Sequence, residues 1–234
     1  MRVREVARSR SVSRAREETF LRMMIEDFGA RVASVWEDLR PTTRNLVEKA
    51  LQSSAISTSS APPSRAGESR PYDPRADWEL SRLLAALDER ALEVGVSLNT
   101  EQAKELRHMA DTTAFVLQTQ TQSAEVFAQL VARAHRLHDF ARIDQLADAL
   151  AARFAPSEIC ELARCDNGVV RALAQETLAQ SPTSLLIGLL ADPVDSEIAR
   201  DALERQAIEY GSEEARRVVQ ILDQADAVED DFLE

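Results

Sequence analysis

Glu105-Leu106-Arg107-His108 places a carboxylate and an imidazole three residues apart, a spacing that brings both to one face of a helix. That is half of the device with which helical bundles hold two metal ions. The chemistry needs a second Glu-x-x-His and further glutamates from facing helices, and the chain has no second copy. His135 and His138 repeat the spacing, with Asp139 adjacent. Two imidazoles on one face can hold a metal, but the remaining ligands must then come from elsewhere, and neither a His-Glu-x-x-His run nor a nearby cysteine pair supplies them. The plainer reading of His135 and His138 is a helix end, where imidazole meets the negative pole of the dipole. His108 reads as a surface or half-buried polar residue. No metal and no cofactor is expected.

Nucleophilic chemistry finds no better footing. There is no Gly-x-Ser-x-Gly elbow and no glycine-rich phosphate loop. Cys160 and Cys165 lack the C-x-x-C spacing of redox and zinc sites, and two cysteines make no disulfide framework. Cys160 falls on the apolar side of a short helix and reads as core, whereas Cys165 sits at a turn. A reducing cytoplasmic setting is the default for such a chain. Acids are abundant but spread along helix faces, and no two carboxylates stand out as a catalytic pair. The chain therefore reads as non-enzymatic.

The composition says which elements carry these residues. Among 234 residues there are 36 alanines, 6 glycines, 8 prolines and 5% aromatics. Alanine is the best helix former, and strand-rich folds need the β-branched and aromatic residues that are scarce here. The expectation is an all-α fold. The net charge of −12 repels phosphate, so nucleic-acid binding by the whole surface is unfavourable. The longest apolar run, residues 185–191, is far short of the roughly 20 residues of a membrane span.

Charge is not evenly spread. Residues 1–16 hold Arg2, Arg4, Arg8, Arg10, Arg14 and Arg16 against a single acid, Glu5. This reads as a disordered basic arm able to grip nucleic acid, an anionic surface or an acidic partner. Residues 17–51 form an N-terminal helical segment. Its stripe of Leu21, Met24, Phe28, Val32, Val35 or Trp36, and Leu39 has helical spacing, and Pro41 breaks it into a long helix and a shorter one. Such a stripe docks on a domain or makes a helical-hairpin homo-oligomer. Residues 52–75 hold seven serines and four of the eight prolines, a flexible linker by composition. Residues 76–222 read as successive helices. Asn99 caps one with Gln102 at the capping-box position, Asp139 caps another, Pro156 opens a third, and Asp166 caps a fourth. Asp192-Pro193 opens a long helix that ends before Gly211, and Ser212 caps the last. The tail, 223–234, carries six acids and no base and reads as a solvated, mobile end.

Within the last stretch, Asp166-Asn167-Gly168-Val169-Val170-Arg171, followed by Ala174 and Leu178, resembles the second helix of a HEAT-type repeat. The short helix containing Ile159-Cys160-Glu161-Leu162-Ala163 stands where that family places its first. The next unit departs from the pattern, because Ala199 stands where arginine is expected and Arg200 comes one place late. The offset from Val170 to Ile198, 28 residues, matches short versions of such repeats. The resemblance covers about residues 156–222. It implies a protein-binding scaffold with no chemistry of its own, in which Asp166 caps its helix and Arg171 pairs with an acid of a neighbouring unit.

The expected architecture is an amphipathic N-terminal helix or hairpin, a linker, and a multi-helix bundle or α-solenoid-like domain. The expected function is a protein–protein scaffold or adaptor for a partner the sequence does not name. The alternative is a nucleic-acid or anionic-surface binder acting through the arginine arm.

Overall fold

The computed structural model describes residues 24–56, 72–93 and 98–233. The described residues are all-α, with no strand among them. They fall into two compact units, Met1–Thr121 and Gln122–Glu234.

In the first unit a helical turn at 24–27 leads into α1 (Ala30–Asp38), α2 (Pro41–Ile56), α3 (Pro74–Leu92) and α4 (Thr100–Gln120). Helix α1 packs on α3, α2 packs on both α3 and α4, and α3 packs on α4. The stripe expected from the sequence supplies much of the core: Phe28, Val32, Trp36 and Leu39 are buried together with Leu80, Leu83, Leu84 and Leu87, while Met24 is half-buried and its neighbour Ile25, outside the expected stripe, is buried in its place. Each such side chain stabilises the unit by about 1.5–3 kcal/mol.

A polar clamp fixes the start of α3. The Glu79 side chain is only 5% exposed. It accepts from the Thr43 hydroxyl at 2.5 Å, from Arg40 Nε at 2.8 Å and from the Arg40 backbone N–H at 3.3 Å. Arg40 also donates to Asp73 at 2.9 Å, and Asp73 caps α3.

The second unit contains α5 (Ala124–Arg136), α6 (Phe140–Arg153), α7 (Pro156–Ala163), α8 (Gly168–Ala179), α9 (Thr183–Leu189), α10 (Ser196–Ile208) and α11 (Glu213–Leu233). Connections of two to six residues make chain neighbours antiparallel. The helices stack in two layers: α5, α7 and α9 touch in that order, and α6, α8 and α10 touch in that order. Helix α11 packs on α10 and closes the stack. This is an α-solenoid-like arrangement of helical pairs, in which each pair covers its apolar face with the next. Between the layers lie Phe127, Leu130, Leu146, Leu150, Val170, Leu178, Leu186 and Leu203. The Phe127 and Phe154 rings meet edge-on, with centroids 5.2 Å apart.

The local signals fare well. Asn99 and Gln102 form both halves of a capping box, Asp139 accepts from the Arg142 N–H, and Pro156 opens α7. The turn between α5 and α6 is a Schellman motif: the Asp139 N–H bonds the Ala134 carbonyl at 2.9 Å and the His138 N–H bonds that of His135 at 3.0 Å. His138 sits at the left-handed position, with φ 57°, where glycine is usual.

Several boundaries need correction. The long helix expected from residue 17 is broken at Gly29, whose φ of 108° and ψ of 163° belong to a region essentially reserved for glycine. Residues 17–23 lie outside the described residues. Residues 17–51 are not a separate domain from 76–222, because α1 and α2 share a core with α3 and α4, and the division between units falls after Thr121. Phe28, Val32, Trp36 and Leu39 of their apolar stripe are therefore covered within the chain. Of the linker expected at 52–75, residues 52–56 complete α2 and 74–75 begin α3, while 57–71 lie outside the described residues. Asn167, not Asp166, caps α8, accepting from the Val169 and Val170 N–H groups. Helix α10 starts at Ser196 rather than at Asp192-Pro193. The tail expected to be mobile continues α11 to Leu233.

Candidate functional site

Successive helical pairs of the second unit are tied together by polar bonds, within a layer and between the two layers. Arg164, just after α7, donates to Asp195 at 2.7 Å and to the Val194 carbonyl at 3.2 Å. Between α9 and α10, Thr183 donates to Gln206 at 3.0 Å, and Gln206 donates onward to the Ser181 carbonyl at 2.5 Å. Between α8 and α10, Arg205 donates to Glu176 at 3.0 Å. The Tyr210 hydroxyl also donates to Glu176, and Gln180 donates to both Glu176 and Tyr210.

These bonds polarise the groups. Donation by Tyr210, then by Gln180 and Arg205, holds the Glu176 carboxyl below the usual carboxylate range despite partial burial. Tyr210 is raised in turn, chiefly by its bond to that carboxylate. Arg205 is raised, first by Glu209 and also by Glu176.

Beside this network an open groove of about 590 Å³ runs between α8 and α10. Buried Leu178 and Ala202 form its floor, with Ile198 half-buried beside them. Its outer lip carries Ile208, which is 81% exposed. Glu176, Asp201, Glu204 and Glu209 line it against a single cation, Arg205. Arg205 is engaged by Glu176 and Glu209, and Glu204 meets Arg200 at 3.3 Å. Asp201 is exposed and has no ion pair or hydrogen bond among the described residues. The groove thus offers apolar surface and unneutralised carboxylate together, which suits a ligand that is both apolar and cationic.

The residues of the expected repeat motif do not share one environment: Asp166 and Arg171 are exposed, the other three are core. Val170, Ala174 and Leu178 are fully buried between layers. Arg171 donates to the Cys165 carbonyl at 3.1 Å within its own unit, rather than to an acid of the next. The cation that links successive helical pairs is instead Arg164. Arg2, Arg4, Arg8, Arg10, Arg14 and Arg16 lie outside the described residues.

His108, His135 and His138 are all exposed. Among the described residues no group of three or more His, Cys, Asp or Glu side chains converges as a metal site. Cys160 is buried, and that burial, with Asp195 nearby, pushes its thiol up to about 11. Such a thiol carries almost no thiolate at neutral pH, which suits core packing rather than nucleophilic chemistry. Cys165 is half-buried.

The groove residues were not singled out by sequence reasoning. One signal was present: the 28-residue offset that aligns Val170 with Ile198 also aligns polar Gln180 with Ile208. An isoleucine thus stands where the preceding unit exposes an amide.

Among the described residues no helix is long and apolar enough to cross a membrane. No protein-family model, no curated protein and no solved structure matches this chain at a significant level.

Proposed function

We propose that this protein is a helical scaffold for protein–protein interaction, and that its docking surface is the groove between α8 and α10. The observation that carries the reading is Ile208, 81% exposed beside a line of carboxylates. What sets Ile208 apart from other exposed apolar side chains is its place in one groove with Leu178, Ile198 and Ala202, so that it extends a contiguous apolar patch with polar groups at its rim. The stacked helical pairs support the resemblance to short HEAT-type repeats, a family of scaffolds without chemistry of their own. The half-bonded acids favour a basic amphipathic peptide segment as the ligand. Two free thiols, one in the core, suit a reducing cytoplasmic setting.

Selection of displayed random peptides against the full chain tests this. The expected result is enrichment of sequences that combine arginine or lysine with small aliphatic residues, and their loss on Ile208→Glu. That substitution lies on an exposed position and leaves the core untouched. Selected peptides that bind the variant as well as the parent, or no enrichment at all, would overturn the reading.

A further inference from the structure

The groove asks for a segment with short aliphatic side chains, several guanidinium groups and few acids of its own. The chain contains one. All six arginines of residues 1–16 occupy even positions: Arg2, Arg4, Arg8, Arg10, Arg14 and Arg16. The even positions between them are Val6 and Val12. In an extended peptide alternate residues share a face, so one face would read Arg-Arg-Val-Arg-Arg-Val-Arg-Arg. Glu5, at an odd position, would fall on the other. A helix would scatter these residues, because its period is 3.6.

The order along α10 is the complement of that face. Ile198 comes first, then Asp201 and Glu204, then Ile208. The segment offers Val6, Arg8, Arg10 and Val12. Ten helical residues span about 15 Å at 1.5 Å each, and six extended residues span about 20 Å at 3.3 Å each. The valine spacing exceeds the isoleucine spacing by about 5 Å, a difference a side chain can reach across, and between the anchors two cations face Asp201 and Glu204, the latter already met by Arg200 at 3.3 Å.

We propose that residues 1–16 of one copy dock in extended form in the α8–α10 groove of a second copy, so that the protein assembles head to tail. This rests on the groove being a docking surface and names its occupant. Val6 and Val12 contact Ile198 and Ile208, and Arg8 and Arg10 meet Asp201 and Glu204. The contact is heterologous, so it builds an open series of dimers, trimers and longer chains rather than one closed species. Arginine suits the role because its planar fork pairs with carboxylates bidentately.

Sedimentation velocity of the nuclease-treated full chain tests the proposal with two variants. One replaces Arg4, Arg8, Arg10 and Arg14 by serine and keeps the groove. The other carries Ile208→Glu and Asp201→Lys and keeps the arm. The wild type should form a concentration-dependent ladder at 50 mM salt, with association weakened at least ~tenfold at 500 mM, where screening shortens the reach of each charge. Each variant alone should stay monomeric. Mixed, they should form a single 1:1 complex, because one supplies the groove and the other the arm. A monomeric wild type at 50 mM salt, variants that self-associate like the wild type, or a mixture that forms no complex would each overturn the proposal. So would self-association found before nuclease treatment and lost after it, which would assign the arm to nucleic acid. If the arm fails while displayed peptides still select for Ile208, only the occupant is wrong and the docking surface stands.

Discussion

Arg164 and Asp195 lie 31 residues apart in sequence and 2.7 Å apart in space. The Asp195 side chain is 5% exposed and that of Arg164 39%. The pair ties the end of α7 to the turn that precedes α10, so it links consecutive helical pairs of the stack.

The asymmetry in burial gives the first prediction. Arg164→Ala leaves a nearly buried carboxylate without its cation and should cost about 1.5–3 kcal/mol of stability. Asp195→Ala leaves an arginine that can hydrate and should cost less. Urea midpoints of the two variants and of the double variant measure the difference. Equal costs for the two single substitutions would contradict the account.

Glu79 carries a pH dependence. Burial opposes its ionisation, but the donors outweigh that: the Thr43 hydroxyl, the Arg40 N–H and the Arg40 guanidinium hold its carboxyl below the usual range. A depressed carboxyl contributes stability above the ordinary carboxylate range, and that contribution is lost as pH falls through the folded value. At pH 7, Glu79→Gln should therefore cost about 1.5–3 kcal/mol. The gap between wild type and variant should narrow steadily as the pH is lowered towards 3. A gap that stays constant with pH, followed by chemical denaturation, would rule this out.

Two backbone positions predict opposite signs. His138 holds a left-handed conformation that costs a side-chain-bearing residue roughly 1–2 kcal/mol. Its ring is exposed and meets only the edge of Phe140, at 6.3 Å between centroids. His138→Gly should raise stability by about 1 kcal/mol. Gly29→Ala should lower it by about 1–3 kcal/mol. The strain there is in the backbone, since an added Cβ would meet the Arg90 guanidinium only at ordinary contact distance, 3.6 Å from Nε. Thermal unfolding of both variants reads out the two signs.

The thiols should separate cleanly. Cys165 is half-buried at a turn, whereas Cys160 is 0% exposed with its thiol pushed up to about 11. At pH 8 a maleimide should label Cys165 at least ~tenfold faster than Cys160 in the folded chain, because Cys160 is shielded and its raised thiol carries little thiolate. Urea should abolish the difference. Equal native rates would mean that α7 opens readily.

Much of the local structure was legible in the sequence. Alanine content and the shortage of β-branched residues settle the helical class. Asn99 with Gln102, Asp139 and Pro156 mark helix starts because a cap satisfies N–H groups within three residues of itself. That chemistry travels with residue type and spacing alone. Local chemistry misled at several boundaries, among them the Asp192-Pro193 start expected for α10. Asn167 took the capping role from its equally suitable neighbour Asp166, and Gly29 broke a stripe whose apolar spacing continues straight through it.

What the tertiary structure decided is which faces meet. Residues 17–51 carry a stripe that suits a dimer or a docked helix equally well, and only the packing of α1 and α2 on α3 and α4 shows it covered. Arg171 and Arg164 are both arginines near the α7–α8 turn. The stacking interval brings Asp195 to Arg164 and leaves Arg171 to bond its own turn. Ile208 continues the apolar spacing of a helix and reads as core from its neighbours in sequence. It is 81% exposed, and the acids beside it become a groove only once two helices from successive pairs lie side by side. Contacts within one helical turn are encoded by neighbours in the chain. Contacts across some thirty residues depend on how the helical pairs stack, which no single spacing specifies.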